Sequence, residues 1–177
     1  ELAHSCGGTT NGTWAASNIT SDSRMVKSGD VFIALRNDDF ENTRGGSVAS
    51  DGHAFIHDAL SHGASGVIAS TVPDDLAHDP RIVRVPSTFN ALMDLAKTAR
   101  ARCGARVIGI TGSVGKTSTR DILALCLRSF GLVHQTEKSF NNILGVPLTL
   151  ARMPRESDYA VIEMGMDRAD ELLPLTK

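Results

Sequence analysis

The sequence predicts an α/β protein with parallel sheets: a small N-terminal α/β domain followed by the start of a second, parallel-sheet domain. Three observations predict it. Apolar runs of four to six residues recur, bounded by Gly, Ser and Asp, as buried strands are. Segments with apolar residues at helical spacing alternate with them. A glycine-bearing turn at 112–115 passes directly from one apolar run into a helical segment.

Along the first part, Val31-Phe32-Ile33-Ala34-Leu35 follows the turn Ser28-Gly29-Asp30 and reads as a buried strand. Ala54 to His62 is apolar at 55, 56, 59 and 60, so it reads as a helix, with Gly63 as its stop. Gly66–Ala69 and Ile82–Val85 read as strands. Ser87 is placed to N-cap a helix that runs toward Gly104, with apolar positions 89, 92, 93, 95, 96 and 99 on one face. The polar stretch 37–50 reads as an exposed loop. A boundary near Gly104-Ala105 divides the chain into 1–104 and 105–177.

Along the second part, Arg106 to Thr111 reads as a short buried strand and Lys116 to Phe130 as a helix. Positions 122, 123, 125, 126, 127 and 130 predict a broad buried face on that helix, with Gly131 as its cap. Leu132 to Thr136 reads as a strand and Glu137 to Asn142 as a turn. A helix starts at Gly145 with Pro147 in its first turn, and a last strand runs from Asp158 to Met164.

Composition limits the function. The 177 residues are 41% hydrophobic and 21% charged, enough for a real core. A net charge of −2 excludes an overall basic nucleic-acid binder. No apolar run approaches the ~18 residues of a membrane helix, and the first residues carry no basic or apolar leader pattern. Three widely spaced cysteines, Cys6, Cys103 and Cys126, suggest reduced thiols and a cytoplasmic protein. The chain begins at Glu rather than Met and stops just after an element begins, which suggests a piece of something longer.

The strongest chemical signal is Gly112-Ser113-Val114-Gly115-Lys116-Thr117-Ser118 between a strand and a helix. Glycines let the backbone turn its N–H groups onto an anion, and the following helix points its positive end at the same place. Lys116 adds a full charge for the β- and γ-phosphates of a nucleotide, and Thr117 offers a hydroxyl to Mg²⁺. The pattern is the short Gly-x-x-Gly-Lys-[Ser/Thr], because Ile110 stands where the longer phosphate-loop pattern has Gly. The alternative is a glycine-rich turn at a helix start. Glu163 ends an apolar strand before Gly165. It is either a second Mg²⁺ ligand at a strand's carboxyl end or an ordinary exposed carboxylate there. Asn141 and Asn142 are either substrate-binding amides or turn residues.

These segments together resemble the ATP-dependent Mur ligases. The resemblance is carried by Thr111 to Ser118, by Ser139-Phe140-Asn141-Asn142-Ile143-Leu144-Gly145-Val146-Pro147-Leu148-Thr149-Leu150, and by Tyr159 to Gly165. The middle run is similar to the branch that adds D-alanyl-D-alanine. In the first part, Asp22-Ser23-Arg24, Ser28 to Leu35 and Asp51-Gly52-His53-Ala54-Phe55 are similar to the family's UDP-binding domain.

The resemblance implies a UDP-substrate-binding domain at 1–104 and the first part of a P-loop ATPase domain at 105–177. It implies ATP and Mg²⁺ as cofactors, with UDP-N-acetylmuramoyl-tripeptide and D-alanyl-D-alanine as substrates. The peptide bond would form through an acyl phosphate. Residues 112–118 would bind ATP, with Lys116 catalytic, and Thr117 and Glu163 would hold Mg²⁺. Ser23, Arg24, His53, Asn141 and Asn142 would bind substrate. A monomer without nucleic-acid or membrane partners is expected, and the chain alone is expected to be inactive. Other Mur-type ligases and a non-catalytic UDP-sugar or nucleotide module are the alternatives. Two stretches depart from the family pattern: Arg36-Asn37 and residues 167–171.

Overall fold

The computed structural model describes residues 2–37, 48–137, 140–166, 172 and 176. The center of the polar loop, Ser139 of the middle motif and the departure at 167–171 lie outside the described residues. The chain forms two compact units that part inside one helix, between Leu95 and Ala96.

The first unit opens with a single helical turn, α1 (Leu2–Ser5). Four parallel strands follow in spatial order β1-β2-β3-β4: Asn18–Thr20, Asp30–Ile33, Gly66–Ala69 and Ile82–Arg84. β2 and β3 are buried along their whole length, as continuous apolar runs in a parallel sheet should be. Phe32, Ala34, Val67, Ala69 and Ile82 pack with Ile56 and Ala59 of α2 (Ile56–Ser61) into one core. The expected helix from Ala54 therefore starts later. Residues Gly52–Phe55 form a tighter 3-10 turn, because the Asp51 carboxylate accepts the His53 N–H at 2.9 Å and Gly52 N–H is held on Leu35 O. Strand β1 has no counterpart in the sequence reading. It is three residues long with one large apolar side chain, and pairing with β2 at Asn18↔Asp30 creates it.

Helix α3 (Thr88–Arg102) crosses the division. Ser87 caps it as expected, its Oγ accepting the Asn90 N–H at 3.2 Å. Just past its end, Cys103 and Ala105 pack into the second unit's core with Val146, Met153, Ala160 and Ile162.

The second unit is a three-stranded parallel sheet in the order β5-β7-β6: Arg106–Ile110, Tyr159–Glu163 and Val133–Gln135. β5 is not the buried strand expected: among the described residues it pairs on one side only, and of its own residues only Ile110 is buried. The central strand β7 is covered on both faces. Ala160 and Ile162 face the cluster that includes Val146 of α5 (Gly145–Ala151), while Val161 packs with Ala124 of α4 (Lys116–Leu127). Each such fully buried aliphatic side chain contributes about 1.5–3 kcal/mol.

The expected broad buried face of α4 is only partly present. Leu123, Ala124 and Leu127 pack on the sheet, but Ile122 (64%), Leu125 (64%) and Phe130 (75%) are exposed, as is Cys126. The apolar residues exceed what one sheet face can cover, and the helix turns Arg120 and Ala124 inward instead.

His134 of β6 places its Nε2 2.7 Å from the Thr149 carbonyl of α5. Burial pushes its pKa below the ordinary 6.5, against the opposing pull of that carbonyl and of Glu137. The ring is therefore kept neutral in the folded chain. Below pH 6.5 the unfolded chain takes up the proton more readily, so stability present above that pH is lost as pH falls. Thermal midpoints at pH 7.5 and 5.5 check this: the decline on acidification should be smaller in His134→Gln than in the wild type.

Candidate nucleotide and metal site

The site lies where two parallel strands end side by side. Ile110, the last residue of β5, is in register with Glu163, the last residue of β7. The loop 111–115 leaves β5 and enters α4, so Glu163 stands beside the loop's start. Carboxyl ends of parallel strands are where such folds gather ligand groups.

Gly115 adopts φ +75° at the N-cap of α4 and offers no side-chain cap. Only glycine takes this conformation without strain. The uncapped helix start leaves backbone N–H groups directed out of the helix at a position that favours an anion. Lys116 folds back over the loop, its Nζ donating to Gly112 O at 2.7 Å. The residues of the loop itself are exposed.

Beneath the loop, Glu163 is 2% exposed and fully engaged. Its Oε2 accepts from Thr117 Oγ1 at 3.0 Å and from Arg120 Nη1 at 3.1 Å, and its Oε1 accepts from Asn141 Nδ2 at 2.9 Å. Its backbone N–H donates to the Oγ1 of fully buried Thr136 at 2.9 Å. The reading of Glu163 as a carboxylate simply exposed at a strand end is thereby corrected, since burial with paired donors is what a fixed carboxylate needs.

The donor set fits Mg²⁺. A carboxylate and a hydroxyl are hard oxygen ligands, and 3.0 Å between Thr117 Oγ1 and Glu163 Oε2 matches the edge of an octahedron, about 2.9 Å for ~2.0–2.1 Å bonds. Among the described residues no group of three or more His, Cys, Asp or Glu side chains converges on a metal position. That is compatible with an ion completed by nucleotide phosphates and water.

The two asparagines occupy different positions around this site. Asn141 holds Glu163 with its side-chain amide and accepts the Gly165 N–H on its backbone carbonyl at 2.7 Å. Asn142 Oδ1 accepts the N–H groups of Leu144 (3.2 Å) and Gly145 (2.9 Å), capping the start of α5. A Cβ at Gly145 would collide with the Phe140 backbone, so the Asn-Asn-x-x-Gly spacing is a tight turn delivering Asn141 to the strand end. The Arg152 guanidinium lies over the Phe140 ring, 5.6 Å from its center, and steadies that turn.

Ser23, Arg24 and His53 belong to the first unit, at the carboxyl ends of its strands. Ser23 and Arg24 follow β1 in a short 3-10 turn, and the exposed Arg24 forms a two-pronged pair with Asp22, at 2.9 and 2.7 Å. His53 is largely enclosed: its Nε2 accepts the Ser70 N–H at 3.1 Å, so its proton sits on Nδ1, facing Asp51 Oδ1 at 2.7 Å. It is not the solvated loop residue it resembles in sequence.

Arg120 and Thr136 were not singled out from the sequence. Arg120 had a signal: a cation in the second turn of a helix stands near the positive end of the helix dipole and therefore calls for an acidic partner.

A parallel α/β sheet with a glycine-lysine loop, a strand-end carboxylate and an adjacent hydroxyl is the arrangement of a P-loop unit. Residues 110–177 match the Mur ligase middle domain. The chain is 39% identical, over 84% of its length and 31% of the relative's, to a UDP-N-acetylmuramoyl-tripeptide–D-alanyl-D-alanine ligase of Synechocystis. To the protein of the same name in Escherichia coli it is 36% identical, over 87% of the chain and 31% of the relative. Among solved structures, MurF from Acinetobacter baumannii superposes with a TM-score of 0.80 at 28% identity, covering 99% of this chain and 37% of that one. The MurF ligase of Thermotoga maritima, solved in complex with ADP, gives 0.69 at 30% identity, over 89% and 34%. Residues 110–177 thus carry the Mur ligase middle-domain pattern, and the chain spans about a third of the length of these relatives.

Proposed function

We propose that the second unit binds ATP with Mg²⁺. In this reading the product of the complete reading frame joins D-alanyl-D-alanine to UDP-N-acetylmuramoyl-tripeptide in the cytoplasm. The observation that carries the reading is the pairing of Thr117 with Glu163 at 3.0 Å beside the Lys116 loop. The substrates are inferred from the names of the relatives.

The chemistry follows from charge. Transfer of the γ-phosphoryl group to the tripeptide's terminal carboxylate brings anions together, so fixed cations are needed. Thr117 and Glu163 would hold Mg²⁺, which when bound would neutralise charge at the phosphate oxygens. Lys116 leaves Gly112 O for the transferring phosphate, and the N–H groups at the start of α4 orient the phosphate chain. Glu163 is kept in place by Asn141, so no rotamer search is needed when nucleotide arrives. The amine of D-alanyl-D-alanine then attacks the acyl phosphate, forming the C–N bond and releasing phosphate. Ser23, Arg24 and His53 are assigned to the UDP moiety in the first unit, and residues 1–104 and 105–177 to the two binding tasks. Asn141 and Asn142 are assigned to the tripeptide end or the nucleotide, Asn141 through its hold on Glu163 and Asn142 through the turn.

The test is a substrate swap on the product of the complete reading frame, with UDP-N-acetylmuramoyl-tripeptide as acceptor. ADP release should require D-alanyl-D-alanine, and diaminopimelate or glutamate should give less than about a hundredth of that rate, as expected where a site's polar groups are left unpaired by the wrong partner. Turnover with glutamate or diaminopimelate instead would overturn the substrate assignment.

A further inference from the structure

Arg120 is 5% exposed and sits one turn into α4 from Thr117, on the side of the helix that meets β7. Its three nitrogens are divided. Nη1 donates to Glu163 Oε2 at 3.1 Å, while Nε and Nη2 both lie on Asp121 Oδ1, at 2.9 and 2.7 Å. Asp121 is half exposed and is also held by Gln135 Nε2 at 3.2 Å. Glu163 Oε2, the oxygen that Arg120 touches, is the same one that lies 3.0 Å from Thr117 Oγ1. A divalent cation bridging that pair and the guanidinium of Arg120 therefore compete for one oxygen.

We propose that Arg120 is a resident counter-cation of Glu163, released when a divalent cation takes Oε2, with Asp121 as the partner that retains it. The proposal rests on the reading of Thr117 and Glu163 as metal ligands. Two features support release over permanent pairing. Arg120 keeps both Asp121 contacts when the single Glu163 contact opens, so the guanidinium is never left without an anion. Glu163 exchanges one cation for another, so its buried carboxylate is never uncompensated, the situation that costs most inside a protein. Arg120 is thus a positioning residue that sets metal affinity.

Mn²⁺ serves as the probe, followed by its electron paramagnetic resonance signal in the presence of ADP, on the product of the complete reading frame. Arg120→Gln should bind Mn²⁺ about three- to tenfold more tightly than the wild type. Asp121→Asn, a change at a half-exposed side chain whose amide oxygen can still accept from Arg120, should bind it about threefold more weakly, because Arg120 then stays on Glu163. Both differences should persist between 0.1 and 0.5 M KCl, because Arg120 and Glu163 are both buried and buried charges in contact are screened little by salt. Weaker or unchanged Mn²⁺ binding in Arg120→Gln, or differences that vanish in high salt, overturns the proposal. If Arg120→Gln fails to fold, Asp121→Asn alone decides: tighter or unchanged binding overturns it. Wild-type protein that takes up no Mn²⁺, or Glu163→Gln with undiminished uptake, overturns the metal reading itself and this proposal with it.

Discussion

Lys116→Ala is expected to abolish nucleotide turnover by the product of the complete reading frame, lowering kcat/KM by at least about a thousandfold. Binding of the UDP-linked substrate should stay within about twofold. The first expectation follows from where the ammonium lies. It is on the first residue of α4, folded over the loop at 2.7 Å from Gly112 O, and the transferring phosphate has no other side-chain cation assigned to it. The second follows from the division of tasks, since Ser23, Arg24 and His53 are in the first unit. The substitution also leaves the fold alone. Lys116 is half-buried at the first position of α4, and its hydrogen bond is to the Gly112 carbonyl, which water can serve equally well. ADP release and calorimetric titration with UDP-N-acetylmuramoyl-tripeptide measure the two quantities. Equal loss of both would mean that the two tasks are not separate.

The loop and its strand were legible in the sequence because their signals are local. Glycine, lysine and threonine at fixed spacing between an apolar run and a helix need no knowledge of the rest of the chain. β2, β3 and β7 were legible for the same reason: continuous apolar runs such as Val31-Phe32-Ile33 mark a strand buried on both faces. What was not legible depends on distant partners. β1 exists only through its register with β2. Arg120 reads as one more charged residue on a helix until β7 brings Glu163, 43 positions away, within 3.1 Å. Thr136 reads as the end of a strand until its hydroxyl meets the Glu163 N–H. The exposure of Ile122 and Leu125 misled in the opposite direction, because periodicity reports which residues share a helix face and not whether a sheet covers it. Asn141 and Asn142 show an intermediate case. Their residue types pointed to hydrogen bonding, but only the turn geometry separates one that orients a carboxylate from one that caps a helix.

Glu163→Gln is expected to remove divalent-cation binding and, in the same variant, to destabilise the second unit by about 3 kcal/mol, the lower end of what breaking a buried ion pair costs. That corresponds to roughly a 6–12 °C drop in thermal midpoint for a chain of this size. The lower end applies because Arg120 retains Asp121 after Glu163 is neutralised. The amide still offers an oxygen to Asn141 Nδ2, so the Asn141 turn should hold, and the loss falls on the Thr117 and Arg120 side of the carboxylate. Function and stability are separable by a second change. Adding Arg120→Met to Glu163→Gln removes both charges from a site where each is almost fully enclosed, so no guanidinium is left buried against a neutral partner. The double variant should therefore recover at least half of the lost midpoint while metal binding stays absent. Calorimetric scanning and Mn²⁺ titration on the three proteins test this directly. A double variant less stable than Glu163→Gln would show that Arg120 supports the fold through contacts other than its charge. Metal binding that returns in the double variant would show that Glu163 is not a ligand.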